Sequence, residues 1–323
     1  MENKKKLSTE IVINKIKKIP IRKYGILIAF LFVTLIISIT TRGFFTQTNI
    51  LNILRQSTIV GLMAIGTTYV IIGGNFDISI SSILALTAAM ALGFQDYVAW
   101  PIAVVIALSV GALIGLVNGF FTAKVKIVGI IVTVATTTIV RGLTYLYTQG
   151  YPIVGKVEGF KFLGSGYIGF IPFPIIIWFI MIIFWQFILS KTKMGRYTLA
   201  VGSSQEAARL SGVSVDFYII MAFVIGGLMA AMGGVVYASR LNSVSPLAGA
   251  GYDLDAIAAT VIGGTSVSGG KGSVVGTVIG VLLLTVIGNA FNLLGVHTSM
   301  QHVIRGFVIL AVVGVDSYTK YRR

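Results

Sequence analysis

The residues from Gly263 to Ser273, GGTSVSGGKGS, combine a glycine-rich run with one lysine, which is the composition of a loop that binds nucleotide phosphates. In the phosphate-loop pattern G-x-x-x-x-G-K-[ST], the glycine–lysine pair is matched by Gly270 and Lys271. Thr265 stands where the pattern requires glycine, and Gly272 stands where it requires the hydroxyl that binds magnesium. Apolar, helix-like runs flank the stretch, whereas a strand should precede a phosphate loop. The sequence therefore predicts no nucleotide site here.

The acidic and histidine residues are not spaced for catalysis or metal binding. Asp253 and Asp255 are two residues apart, so on a helix they do not face each other, and Asp253 is instead expected to cap the helix that begins there. The further oxygen ligands of an EF-hand are missing. His297 and His302 have no carboxylate neighbours in the sequence, and the chain contains no cysteine. These patterns predict no catalytic residue, no metal site and no cofactor.

The composition indicates that lipid is the solvent of most of the chain. Of its 323 residues, 56% are hydrophobic and 11% are charged, and the mean hydropathy is +0.93. Soluble domains average about 25% charged residues. The apolar residues also form long unbroken runs, and backbone in lipid must satisfy its own hydrogen bonds. We therefore predict an all-α polytopic membrane protein.

Ten stretches are candidate transmembrane helices by length and hydropathy. They cover residues 24–41, 50–72, 78–94, 99–122, 127–148, 173–190, 217–239, 253–268, 273–294 and 299–316. The third and the eighth are short and adjoin glycine-rich segments, so either is a candidate half-helix or re-entrant segment. The chain is thus predicted to hold one transmembrane domain, 24–316, between short tails at 1–23 and 317–323.

The lysines and arginines predict the orientation of these spans. With the N-terminus inside and ten crossings, 18 of the 25 basic residues lie on the cytoplasmic side, five lie outside, and Arg141 and Arg305 lie within spans. This asymmetry follows the positive-inside rule and places both termini in the cytoplasm. The net charge of +15 comes without the aromatic-interleaved basic patches of nucleic-acid binders, so no nucleic acid is predicted as a partner. The basic tail 1–23 is expected to lie beside anionic lipid of the bilayer.

The cytoplasmic loop 191–216 carries the most specific local pattern. Ser203 and Glu206 fit a capping box, in which the serine accepts the Glu206 amide and the glutamate reaches back. The following residues favour a helix from about Ser204 to Ser211, and Gly212 suits the left-handed position that ends one. A helix this short is marginal alone, so it must pack either on this chain's own helix ends or in a groove of a cytoplasmic partner.

The same loop carries a resemblance to a known family. GRYTLAVGSSQEAARLSGV (195–213) resembles the coupling-loop region of permease subunits from ribose-type ABC importers, and GYDLDAIAATVIGGTSVSGGKGSVVGTVIG (251–280) is closer still. FNLLGV (291–296), FFTQTNILNILRQ (44–56), DIS (77–79) and RGLTYLYTQGYP (141–152) match as well. The resemblance covers nearly the whole chain apart from the basic tail.

This resemblance implies that 24–316 is a permease domain, itself not an enzyme, which passes a monosaccharide such as ribose across the bacterial inner membrane. The implied partners are cytoplasmic ATP-binding cassette subunits, a second permease protomer and an extracytoplasmic sugar-binding protein. The ATPase-coupling residues would be Ser203, Gln205, Glu206, Ala207, Ala208, Arg209, Leu210 and Gly212. The chain departs from the family where Asn75–Ser81 replaces a Gly-Ile-Asp motif with its Leu-Ser-Val-Gly-Ser continuation, and where Gly202-Ser203-Ser204 replaces Gly-Gly-Asn. The first departure leaves the substrate open, and the second keeps a residue that can cap a helix, so coupling is expected to be retained.

Polar residues within the spans or next to them are candidates for the translocation path, because ionisable and amide groups in lipid are costly and often functional. They are Asn75, Asp77, Asn118, Arg141, Asn289 and Asn292. Each also has a structural alternative. Asp77 could cap the third span, Arg141 and Arg305 could snorkel or bind a backbone carbonyl, and the asparagines could bond neighbouring helices.

Two other functions fit parts of the sequence. An ion-coupled secondary transporter would place acidic groups at mid-membrane, where only Asp77 and Asp255 are candidates. A membrane-embedded enzyme would need a nucleophile–base motif, and none is apparent. Within the permease interpretation the solute stays open among ribose, another pentose, a hexose and a sugar-like signal such as autoinducer-2, and so does the choice between homodimer and heterodimer.

Overall fold

A computed structural model gives the structure of the chain. It describes the backbone of residues 21–297, the side chains from residue 27 in that stretch, and residues 299–301, 303, 304, 306, 307, 310 and 314 beyond it. Three sequence predictions lie wholly or mostly outside the described residues: the tails 1–23 and 317–323, and the tenth span 299–316 with His302 and Arg305.

The described chain is mostly helical, as predicted. Its helices are α1 Ile21–Thr40, α2 Gln47–Ile72, α3 Ile80–Gly93, α4 Trp100–Ala123, α5 Gly129–Thr148, α6 Glu158–Ser165, α7 Phe173–Lys191, α8 Lys193–Ser203, α9 Gln205–Leu210, α10 Val215–Leu241, α11 Tyr252–Ile262 and α12 Val274–Leu293. Four two-residue strands form two antiparallel pairs: β1 Ile153–Val154 with β4 Ser243–Val244, and β2 Tyr167–Ile168 with β3 Ile171–Pro172.

Six of these helices are long and apolar enough to cross a membrane: α2, α4, α5, α7, α10 and α12. Helices α3 and α11 have 14 and 11 residues, or about 21 and 16 Å at 1.5 Å per residue. The hydrocarbon core of a bilayer is about 30 Å thick. The third and eighth predicted spans are therefore short, as the sequence indicated, whereas the total of ten spans stays a prediction.

Helix α10 lies at the centre of the bundle and packs against α4, α2 and α3. Small residues let its backbone approach that of α4, since a methyl group on Gly227 would overlap the carbonyl oxygen of Gly111. Helices associate in lipid through close approach at small residues, because burial of apolar surface contributes little free energy to association there. The outer helices α4 and α7 instead expose large apolar side chains, among them Phe179 and Ile183 of α7.

The two ends of the bundle differ in structure. We call the end that carries α8 and α9 the base, and the end that carries α6 and the β1–β4 pair the top. Helix α8 and the elements of the 149–172 loop were not predicted from the sequence. Helices α6 and α8 are amphipathic but too short to cross a membrane, and they pack on the ends of spanning helices, as Phe160 and Val201 do.

Candidate functional site

Helix α9 begins one residue later than the capping box predicted. Ser203 is the last residue of α8, and the N-cap is Ser204, whose Oγ accepts the Ala207 amide at 3.2 Å. The predicted pair of Ser203 with Glu206 is therefore wrong. The cause is that α8 continues to Ser203, which leaves Ser204 as the first residue with extended backbone.

The C-terminal end of α9 follows the prediction. Gly212 has a φ of +77°, a left-handed conformation that glycine adopts without steric cost. The Val213 amide donates to the Ala208 carbonyl and the Gly212 amide to the Arg209 carbonyl, both at 3.0 Å. These two bonds form a Schellman motif and fix the direction in which the chain leaves the helix.

Helix α9 is held by one buried residue and leaves the rest of its surface open. Ala208 is 5% exposed and packs in a cluster with Val70, Val215 and Ile219. Leu210 is 84% exposed. The other exposed residues of the helix are Gln205, Glu206, Ala207 and Arg209. Both alternatives for this helix thus have a basis, because one face packs on this chain while an apolar side chain extends into solvent.

The glycine-rich stretch 263–273 packs against the base of the bundle beside α9. The Gly270 amide donates to the carbonyl of Ile72, the last residue of α2, at 2.9 Å. A methyl group on Gly202 would overlap that same carbonyl oxygen, and one on Gly269 would lie 2.7 Å from the Gly202 oxygen. Three backbone segments therefore meet where no side chain fits. We call residues 72–74, 202–203 and 269–270 the glycine junction.

The glycine junction explains the composition that raised the question of a phosphate loop. Gly269 and Gly270 have φ values of +79° and +72°, so they provide both the turn and the close approach. Lys271 is exposed. The glycines serve backbone packing.

A buried polar network crosses the bundle near Asp77. The Asp77 Oδ1 accepts the Ser79 amide at 2.8 Å and the Ser79 hydroxyl at 2.6 Å. Asn118 donates to the Ser79 Oγ at 2.9 Å, and Thr136 donates to the Asn118 Oδ1 at 2.6 Å. Asp77 Oδ2 makes no hydrogen bond of normal geometry with a described residue. The predicted N-cap role of Asp77 is wrong, since Ser79 occupies that position and Asp77 precedes it by two residues.

Two further charged residues have structural partners near this network. Arg141 donates through Nη1 to the carbonyls of Pro246 at 2.8 Å and Ala248 at 3.3 Å, which confirms the backbone-carbonyl alternative. Asp253 is not the cap of α11, because Gly251 holds the N-cap position with a φ of +87°. Asp253 instead lies in the first helical turn, where its side chain bonds Ser81.

The six candidate path residues do not gather into one site. Asp77 and Asn118 share the buried network, and Asn75 donates to the Gly73 carbonyl at 3.2 Å. Asn289 exchanges two hydrogen bonds with Asn49, at 3.0 and 2.8 Å, and so joins α12 to α2. Of the six, Asn292 lines a cavity of about 150 Å³ towards the top of the bundle.

Sequence reasoning missed most of the polar lining of that cavity. Beside Asn292 it includes Gln56, Arg240, Tyr252, Asp255 and Thr285. These residues come from four helices far apart in the sequence, so no local spacing could group them. The one usable signal was the short eighth span, because a helix too short to cross the bilayer must end inside it.

Comparison with known proteins finds transport permeases. Residues 49–313 match the family described as branched-chain amino acid transport system / permease component. The chain is 42% identical to the ribose import permease protein of Bacillus subtilis, over 91% of this chain and 92% of the relative. It is 38% identical to the L-arabinose transport system permease protein of Escherichia coli, over 92% and 90%. It is 29% identical to the xylose transport system permease protein of that organism, over 95% and 94%. The comparison with solved structures finds no match.

Proposed function

Because the chain belongs to the family of branched-chain amino acid transport system permease components, we propose that it is the membrane subunit of an ATP-binding cassette importer for a monosaccharide. The observation that carries the proposal is the similarity to ribose, arabinose and xylose permeases over at least 90% of this chain. In this function the chain is a conduit and does no bond chemistry. ATP hydrolysis belongs to a partner chain.

Helix α9 is the proposed contact for the ATPase subunits. Its Leu210 is exposed, and both of its ends have defined caps, so the helix is preformed for a groove. Lys124 and Lys126 lie 3.0 and 2.9 Å from the carboxylate of Asp216 and tie the start of α10 to the α4–α5 connection beside it. A partner that displaces α9 would therefore act on a surface whose neighbouring elements are held together.

The glycine junction supports a route for that displacement into the bundle. Ser203 and Ser204 join α8 to α9, and Gly202 touches both Ile72 and Gly270. Ile72 ends α2, and Gly270 lies in the loop between α11 and α12. A movement of α9 would thus reach the ends of three helices at once, as a two-state displacement of rigid elements requires.

The remaining partners and the orientation follow from the same proposal. The base faces the cytoplasm, as the excess of lysine and arginine on that side predicts. The top, with α6 and the β1–β4 pair, then faces the extracytoplasmic sugar-binding protein. A second permease protomer completes the path in the bacterial inner membrane.

The test is reconstitution of the chain in proteoliposomes with its ATPase subunits and binding protein. We expect uptake of labelled D-ribose, L-arabinose or D-xylose that requires ATP. Leu210→Asp should abolish uptake and the stimulation of ATP hydrolysis while the permease stays folded, because Leu210 makes little contact within the chain. Leu210→Met is the matched control and should retain both.

Uptake by the chain alone along a proton or sodium gradient would contradict the proposal and favour an ion-coupled transporter. Uptake of none of the three pentoses by the complete complex would instead reject these pentoses as solutes, and hexoses and autoinducer-2 would be tried next.

A further inference from the structure

The cavity of about 150 Å³ lies among α2, α10, α11 and α12 towards the top of the bundle. An engineered cavity of about 150 Å³ in another protein holds benzene, so the volume suits one small ring. Polar groups inside a membrane bundle are costly, and a polar cavity there is by default a functional site. Size and location therefore both suit a small solute.

The polar lining of the cavity offers donors and acceptors of several kinds. Asp255 supplies acceptors, Arg240 supplies donors, and the amides of Gln56 and Asn292 supply both. The Asn292 Oδ1 accepts from Gln301 at 2.9 Å, which leaves its NH2 group as a donor. The Thr285 hydroxyl donates to the Val281 carbonyl at 2.9 Å, which leaves its oxygen as an acceptor.

This set matches the hydroxyls of a sugar, because each hydroxyl both donates and accepts a hydrogen bond. One acidic and one basic side chain also leave the cavity without a large excess of charge, as suits a neutral ligand. Tyr252 adds an aromatic ring, and aliphatic side chains of α2 and α12 line the rest. Half of the lining residues are polar, which suits a ligand that carries several hydroxyls.

The helix that carries Tyr252 and Asp255 is the short α11. Discontinuous helices form the substrate sites of many transporters, because their ends leave polar backbone groups within the membrane. Helix α11 packs backbone to backbone on α12, where a methyl group on Gly280 would overlap the Ala259 carbonyl oxygen. The α11–α12 pair therefore forms one closely packed wall, and its connecting loop contacts the end of α2 in the glycine junction.

We propose that this cavity, with Gln56, Arg240, Asp255 and Asn292 as its polar contacts, is a binding site for one monosaccharide within the permease chain. The assignment rests on the proposed function and adds to it that the path itself contacts the sugar. Both walls, α2 and the α11–α12 pair, end at the glycine junction, so displacement of α9 would change the width of the site.

Labelling of a single cysteine tests binding directly, because the chain has no cysteine of its own. Asn292→Cys in the complete complex should react with a small maleimide, and millimolar D-ribose, L-arabinose or D-xylose should slow the reaction. Tyr151→Cys, exposed at the top, is the control whose rate the sugar should leave unchanged. Protection by L-leucine but by no sugar would overturn the assignment, since an arginine and an aspartate also suit a zwitterion.

Transport gives the second measurement. Asp255→Asn and Gln56→Leu should each reduce sugar uptake about tenfold or more, because a hydrogen bond to a charged group or an unsatisfied buried partner is lost. ATP hydrolysis should stay near the wild-type rate. Thr138→Ala, on the exposed face of α5, is the matched control.

The outcomes separate the two proposals. Normal uptake by both variants would overturn the binding site and leave the proposed function intact. Equal loss of uptake and ATP hydrolysis in both would also overturn it, because the defect would then lie in coupling. Failure of the wild-type complex to take up the three pentoses, hexoses and autoinducer-2 would instead reject the proposed function.

Discussion

At the scale of single residues, the polar groups inside the bundle are of two kinds. Some bond other groups of the protein and stabilise the fold, and others line the cavity among α2, α10, α11 and α12. Asn49 bonds Asn289, and Arg141 bonds the carbonyls of Pro246 and Ala248, so these groups have partners within the protein. Asp77 differs, because only one of its carboxylate oxygens has partners of normal geometry among the described residues. A buried carboxylate that is half satisfied costs free energy, so its removal is informative.

We predict that Asp77→Asn keeps the stability of the folded chain or raises it. The asparagine oxygen can accept the same bonds from Ser79, and no charge remains buried. Asp77→Ala should destabilise by about 1–3 kcal/mol, because the Ser79 groups lose their acceptor. Thermal unfolding of the purified variants in detergent measures both, and a larger loss for Asn than for Ala would contradict the prediction.

At the scale of elements, the important unit is the short α11 with its loop and α12. The loop between α11 and α12 meets the end of α2 and the α8–α9 connection in the glycine junction. The backbones there are so close that no side chain fits between them. This arrangement makes the junction intolerant of any added atom, whereas a loop that only reversed the chain would accept substitutions.

We therefore expect Gly202→Ala to lower stability by about 1–3 kcal/mol, the usual cost of overpacking, and to impair coupled transport. Gly142→Ala is the matched control, because Gly142 lies in a spanning helix with no atom near the added methyl group. The control should be neutral or slightly more stable. The unfolding midpoint and ATP-dependent uptake check the pair, and equal behaviour of the two variants would show that the junction is loosely packed.

At the scale of the whole molecule, the base and the top carry different chemistry. The base holds α9 with the basic residues Lys124, Lys126 and Arg209, and the top holds α6 with the β1–β4 pair. From the positive-inside rule we predict that the base faces the cytoplasm. The central α10 joins the two ends as one helix of 27 residues.

Single cysteines can test this orientation, again because the native chain has none. Ser165→Cys, exposed at the top, should react with a membrane-impermeant maleimide on intact cells whose outer barrier is permeable to it. Ser211→Cys, exposed at the base, should react only after the inner membrane is opened. The reverse pattern would invert the assignment of the two ends.

The sequence by itself determined the positions of the long apolar helices and some of the local signals. The predicted second, fifth and ninth spans lie within three residues of α2, α5 and α12, because hydropathy over a helix length is a local property. The left-handed Gly212 was also predictable, since a helix end in glycine depends on its neighbours in the chain. The cap at Ser204 was missed by one residue, because α8 had to be known first.

Only the tertiary structure decided what the polar residues and glycines contact. Gly202 and Gly270 are 68 positions apart in the sequence, yet both lie in the glycine junction. Gln56 and Asn292 come from opposite ends of the chain, yet both line the cavity. Nothing in the local pattern encodes such contacts, because they depend on how helices pack through small residues rather than on the propensities of each segment. The cavity and the glycine junction are for that reason properties of the folded bundle.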